Sequence, residues 1–295
     1  MTAVEDPAAP IAIPVRDEAK IARGERLRLL LRSPGFIIGA LILAFWVICA
    51  LFGTLIAPQD PQADDVLDKL AAPSADHLFG SDRLGRDVFS RVLVGAREIL
   101  ITAPLAALLG TVLGTAIGLV TGYYRGLLDE VIMRIVDALL AVPVIIIAFL
   151  AIAARGASRL TIVLVIGFVF SMIIAKTVRA AVLSERTLEY VQAARLRNER
   201  SPYIMFVEIL PNVMGPIVVE FTVRLGYAIF TIATLAFLGF GADPSIPDWG
   251  RDIEQHYTFI SAGAWWTVLF PSLAIATLIV GINLMADAIA QTFER

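Results

Sequence analysis

Glu220 and Arg224 are the residues best placed to do chemistry, and their setting narrows what that chemistry can be. They stand four apart in an apolar run, so on a helix they share a face and can pair. Ionisable groups at membrane depth usually turn toward a bundle interior or a water-filled path. Two readings stand: a pathway-lining pair that touches a polar solute, or a self-neutralising pair near an interface. Arg134 and Asp137, three apart, read as an interfacial structural pair. No Ser/His/Asp set or metal cluster falls at membrane depth. His77 and His256 lie in polar connections with no second histidine at ligand spacing, and read as solvated or capping residues. Cys49 is the one cysteine, so no disulfide can form within the chain, and it reads as a small packed hydrophobe. A phosphate-cradling loop needs a lysine directly after a glycine. None of the three lysines, Lys20, Lys69 and Lys176, follows one, so the chain carries no P-loop. No cofactor and no metal is expected of this chain, and ATP-driven work would need another chain to bind the nucleotide.

The elements that hold these residues are read from hydropathy. The 295 residues are 58% hydrophobic and 17% charged, with the charge gathered in blocks between long apolar runs. Mean hydropathy is +0.79. A water-soluble core of this size could not hide so many such runs. A spanning helix needs about 20 apolar residues. Six runs qualify: 35–56, 100–123, 132–153, 160–182, 213–238 and 266–288. The expected fold is an all-α membrane protein of six transmembrane helices. Its parts are a tail at 1–34, a first helix with a polar segment at 35–98, and a five-helix core at 99–290. The tail is mixed in charge, with Pro7, Pro10 and Pro14, and lacks the apolar centre of a signal peptide. Lysines and arginines of the tail and of the fourth-to-fifth connection outnumber those of the alternate loops. That bias places both termini on the cytoplasmic side.

Gly110, Gly114, Gly118 and Gly122 recur every four residues in the second span. They line one helix face and let a neighbour approach closely. Static packing and a seam that slides in gating are both compatible with this spacing.

The 183–212 connection is the most informative polar segment. Glu189, Tyr190, Ala193, Ala194 and Arg195 belong to a short amphipathic helix running to Arg197. Asn198 can take the left-handed conformation that ends it. Ser201 and Pro202 suit the cap and first position of a second helix. Pro211, after Ile209 and Leu210, ends that helix. A helix–turn–helix between two spans is a good shape for docking another protein.

This segment resembles the coupling loop of ABC importer permeases, which reads near E-A-A-x-x-x-G followed by I-x-L-P. Ala193 and Ala194 match the paired alanines, and Ile209, Leu210 and Pro211 resemble the ending without its spacer. Gln192 stands in place of the glutamate and Asn198 in place of the glycine. The stretch from His77 through Gly80-Ser81-Asp82-Arg83-Leu84-Gly85-Arg86-Asp87 to Arg91 is similar to the outer segment of dipeptide/oligopeptide/nickel-type permeases. So are Leu235 to Gly241 with Pro247-Asp248-Trp249-Gly250, Met133 to Asp137 with Pro143, and Trp265-Trp266. The resemblance implies the type I importer (MetI-like) permease fold. It implies the second of two related permease subunits, working with two cytoplasmic ABC ATPases that bind ATP and Mg and with an external solute-binding protein. No nucleic acid is implied. The implied cargo is di- or oligopeptides, with nickel complexes, glutathione or another small polar solute as alternatives. A secondary transporter using Glu220 as an ion relay is a further alternative.

Overall fold

The computed structural model describes residues 30–241 and 245–294, so the tail read at 1–34 lies almost wholly outside the described residues. Five helices are long and apolar enough to cross a membrane, and a sharply bent pair supplies a sixth crossing if its two limbs count as one.

α1 (Pro34–Ile56) opens with proline at its first position, where the missing N–H costs nothing. α2 (Val88–Tyr124) starts on the Asp87 side chain, which accepts from the Ser90 N–H at 2.8 Å. Its 37 residues span about 55 Å, well beyond the ~30 Å of hydrocarbon, so it projects from the bilayer. α5 (Arg159–Glu185) starts on Ser158, which accepts from Thr161 N–H. α7 (Met214–Leu235) winds on through a wide π-type stretch to Phe240 and is broken at Gly239, whose φ is +85°. α9 (Trp266–Glu294) is the last crossing.

The third expected span, 132–153, is not one helix. α3 (Gly126–Leu140) and α4 (Val144–Arg155) meet at 86°. Pro143 lies in the break; its ring disfavours helical geometry at Val142, and it has no N–H to bond back along a helix. The expected Arg134–Asp137 pair is also absent. Arg134 bonds Glu130 at 3.2 Å, while Asp137 accepts from Lys176 of α5 at 2.7 Å. Two turns earlier on α3, Asp129 accepts two bonds of 2.5 and 2.7 Å from Arg179, so α3 is tied sideways to α5.

The core is the α2–α5 seam. A Cβ placed on Gly114 would lie 2.7 Å from both Ser171 O and the Ile174 Cβ. One on Gly118 would lie 2.7 Å from the Val178 Cβ, and one on Gly122 2.8 Å from the Val182 Cβ. On Gly110 it would come 3.0 Å from Gly167 O. Glycine is required here because the two backbones are too close for any side chain. Hydrophobic residues on both sides, among them Ala103, Ala106, Ile166, Ile174 and Val178, are fully buried. α1 stands at the periphery. It touches α9 where Gly39 meets the Gly281 carbonyl, and α2 where Gly53 meets Leu93.

Candidate functional site

Three polar features stand out from this apolar frame. The first is the connection between α5 and α7. α6 (Glu189–Leu196) runs into a turn at Asn198, whose φ of +56° is the left-handed conformation expected of it. The chain then coils again through Ser201–Tyr203, a π-type stretch Ile204–Ile209 and Leu210–Asn212. Two details differ from expectation. Arg200, not Ser201, occupies the cap position. Pro211 does not end the helix, which runs on to Asn212 and breaks at Val213. The wide turns just before Pro211 accommodate a residue that has no N–H to give.

The two limbs are latched together. The Tyr190 hydroxyl donates to Glu185 at 2.7 Å and accepts from Asn212 at 3.1 Å, tying α6 to the end of α5 and to the turn that precedes α7. Burial and the neighbouring Glu185 carboxylate push the Tyr190 phenol well above its ordinary pKa, so it stays protonated as a latch. Arg197 reaches Glu208 at 3.3 Å across the turn. Arg186 donates to the Tyr123 carbonyl at 2.7 Å, at the C-terminal end of α2, where a cation suits the helix dipole.

Burial sorts the residues that the sequence singled out. Val191, Ala194 and Ile209 face inward, and Ala194 is wholly enclosed. Arg195 lies over the Tyr123 ring at 5.2 Å. Ala194 and Ile209 therefore set the shape of the segment rather than its surface. Exposed instead are Leu196 (85%), Phe206, Val207 and Tyr203, with Ala193, Asn198 and Pro211 beside them in the chain. This patch escaped sequence reading. Phe206 and Val207 are exposed side by side within the π-type stretch, between buried Met205 and Ile209, and ordinary helical periodicity does not predict that register.

The second feature is the Glu220–Arg224 pair. Arg224 Nε donates to Glu220 at 2.9 Å, and Thr177 of α5 donates to the other Glu220 oxygen at 2.8 Å. The Arg224 guanidinium also lies 5.2 Å from the Tyr227 ring centre. The pair is partly exposed, and Tyr227 and Phe230 continue outward along α7 as exposed aromatic residues.

The third lies at the opposite end of the bundle and joins the 57–87 segment to α2, α8 (Trp249–His256) and α9. Arg91 of α2 donates to Asp252 of α8 and, at 3.0 Å, to the Pro61 carbonyl. Asp82 accepts from the backbone N–H groups of Leu84 and Arg86 at 2.7 and 2.9 Å, and lies 3.9 Å from both Arg91 and His256. Gly85 has φ +83°, and a Cβ there would strike the Asp65 carbonyl. The indole N–H groups of Trp266 and Trp249 donate to the Ser81 and Val92 carbonyls at 3.0 and 2.9 Å. The histidines correct their sequence reading: both are buried, His77 at 5% exposure and His256 at 2%. His77 Nδ1 is 3.1 Å from Asp87 and Nε2 is 3.4 Å from Asp68. His256 Nδ1 is 2.6 Å from the Asp252 carbonyl, so it carries a proton there, and Nε2 accepts from Arg83 N–H. Sequence could not reveal this network, since its partners lie as far apart as Arg91 and Asp252.

Two of its groups set a pH response. Asp248 caps α8 through Gly250 and Arg251 N–H, yet burial and the charge of Asp252 push it up to about 6. Burial alone would lower His77, but the bonds to Asp87 and Asp68 outweigh it and raise the ring above its ordinary value. Both groups bind protons more tightly folded than unfolded. Their stabilisation is complete below the unfolded values, near 3.9 and 6.5, and fades as pH rises through the folded ones. The 57–87 segment is therefore expected to resist proteolysis better at pH 5 than at pH 8. Asp248→Asn should flatten the lower part of that curve and His77→Gln the upper. Protection that increases toward pH 8 contradicts this assignment.

Among the described residues no group of histidines, cysteines and carboxylates is arranged to hold a metal. Comparison with known proteins places the chain among transport components. The family described as "Binding-protein-dependent transport system inner membrane component" matches residues 114–295. The "N-terminal TM domain of oligopeptide transport permease C" matches 24–73. The dipeptide transport system permease protein DppC of Escherichia coli K12 is 37% identical over 270 residues, covering 89% of each chain. The DppC protein of Alkalihalophilus pseudofirmus is 34% identical over 258 residues, covering 88% of this chain and 84% of its own. A solved structure of the MetNI methionine ABC transporter in an inward-facing conformation shares the fold, with a TM-score of 0.58 at 19% identity. The match covers 70% of this chain and 97% of that one.

Proposed function

The chain belongs to the family of binding-protein-dependent transport inner membrane components, and from that premise we propose that it is one permease subunit of an ATP-driven importer for di- and oligopeptides. It is a multi-pass inner membrane protein. The 183–212 segment and both termini lie in the cytoplasm, and the segments 57–87 and 245–264 lie outside. A second, related permease completes the conduit, two cytoplasmic ATPases bind ATP and Mg, and an external binding protein delivers cargo. The chain carries no catalysis of its own.

The single observation behind this reading is the latched helical segment between α5 and α7. It presents exposed apolar residues on a frame fixed by Tyr190 and Arg197. An ATPase cleft closing on ATP would grip that patch. The rigid frame would pass the displacement to α5 and α7, and two packings of the bundle would exchange access from one side to the other. Cargo would meet the Glu220–Arg224 pair. That pair presents both signs of charge to a solute that carries an ammonium and a carboxylate, with Tyr227 and Phe230 offering faces for its side chains. Glu220→Ala strips Arg224 and Thr177 of their shared acceptor. It is expected to cut peptide uptake about tenfold while ATPase subunits still co-purify, given the usual worth of a charged hydrogen bond.

The test is uptake of a labelled dipeptide by the complete importer in proteoliposomes. Uptake should stop when ATP is withdrawn and persist when ionophores collapse the ion gradients. Uptake that survives without ATP and dies with the gradient overturns the reading in favour of a secondary transporter.

A further inference from the structure

α1 meets α2 at Gly53, where a Cβ would lie 3.1 Å from the Leu93 carbonyl, and beside that contact the two helices do not close fully. On one side this leaves a cavity of about 390 Å³ walled by α1, α2 and α7, lined by Val47, Leu51, Leu100, Ile101, Pro104 and Leu225. One charged residue lines it, Arg97. Arg97 is exposed and has no hydrogen-bond or ion-pair partner among the described residues, whereas its neighbour Glu98 is held by Arg159 at 3.0 Å. One helical turn further toward the 57–87 end a second cavity of about 470 Å³ follows, bounded by Thr54, Gln59, Asp60 and Gln62, with Val94 on the α2 side. Leu51 and Thr54 are three apart on α1, and Arg97 and Val94 three apart on α2, so the two cavities follow in one line.

The order along that line is aliphatic walls, then a lone guanidinium, then a polar chamber with an acid. An unpaired arginine at the edge of the hydrocarbon needs an anion, and guanidinium suits phosphate oxygens in two-point contact. The apolar walls lie at the depth of lipid tails, and the polar chamber opens where headgroups meet water. We propose that this line of cavities is a binding site for one phospholipid of the adjacent leaflet. Its phosphate sits on Arg97, an acyl chain lies along Leu51 and Ile101, and its headgroup lies among Thr54, Gln59 and Asp60. A zwitterionic headgroup would place its ammonium against Asp60. The lipid fills the wedge beside α1 and so braces the peripheral helix against α2 and α7. This does not rest on the identity of the cargo.

The complete importer, purified with its partner subunits and delipidated stepwise in detergent, is the material for the test, with bound lipid counted by native mass spectrometry. Phosphatidylethanolamine and phosphatidylglycerol are added back, and diacylglycerol of the same chains serves as the phosphate-free probe. Wild type is expected to retain phospholipid and to reject diacylglycerol. Arg97→Leu should weaken retention roughly tenfold, and Arg97→Lys less, because lysine keeps the charge without the fork. Equal retention by Arg97→Leu and wild type overturns the proposal. A second measurement asks what covers the groove in the assembled complex. The Leu51→Cys variant should react with a thiol-reactive lipid probe in membranes, while the native Cys49 is buried. Efficient crosslinking of that cysteine to the second permease instead overturns the proposal, since a protein helix then occupies the groove.

Discussion

Leu196→Asp is expected to leave the chain folded in the membrane and to reduce ATP-driven uptake by about thirtyfold or more, the loss that follows from removing a central apolar anchor of an interface. Leu196 is 85% exposed at the end of α6, so the protein's own fold does not use its side chain. Tyr203, Phe206 and Val207 of the same segment also expose apolar surface. On the proposed docking of an ATPase, a carboxylate there would have to be desolvated. Ala194→Asp is the instructive contrast. Ala194 is fully buried between α6 and the π-type stretch, and an unpaired charge there costs the segment about 3–5 kcal/mol. It too should abolish uptake, but by loosening the loop. The measurements are dipeptide uptake in proteoliposomes, ATPase retention on affinity capture, and limited proteolysis of 189–212. Leu196→Asp should lose ATPases and stay protected, and Ala194→Asp should become protease-sensitive. Full uptake by Leu196→Asp would remove the docking role from this patch.

The second large effect concerns Arg91. It holds Asp252 and the Pro61 carbonyl in a site closed to water, close to Asp82, and both carboxylates are nearly inaccessible. Arg91→Leu leaves Asp252 buried without its cation, a loss of about 3–5 kcal/mol, which corresponds to a fall of roughly 10 °C in the unfolding midpoint. The effect should be felt far from the substitution, because the same network locks the 57–87 segment, α8 and the start of α9 through His256 and Trp266. The double variant Arg91→Leu with Asp252→Leu removes the direct pair together and should recover part of the stability, with Asp82 still buried beside the lost cation. Thermal unfolding of the purified complex decides the matter. A single variant as stable as wild type would mean that the pair is incidental to the fold.

Much of the architecture was legible before any coordinates because crossing a bilayer is a local requirement. Each crossing must satisfy its own backbone and cover its own length with apolar residues, so 35–56, 160–182 and 266–288 declare themselves in a window of about twenty residues. The four-residue glycine spacing in α2 and the turn at Asn198 are local in the same sense, one set by helical periodicity and the other by a single residue's tolerance of positive φ. The Glu220–Arg224 pair lies within one helical turn and was readable for that reason.

What only the tertiary structure decided has longer reach. Composition does not show that 132–153 breaks at 86°, because Pro143 permits a kink without setting its angle, and α3 is held aside by Lys176 and Arg179 from another helix. The histidines looked solvated because they stand in polar stretches, yet carboxylates and carbonyls brought from elsewhere in the chain let both be buried. Arg91 and Asp252 are 161 positions apart, and no periodicity connects them. Sequence alone determined that this polypeptide crosses a membrane several times and carries a helix–turn–helix between two crossings, since both follow from neighbours along the chain. Which of that element's residues lie exposed, and which hold it in shape, was decided by packing, since burial is a property of the surfaces that meet.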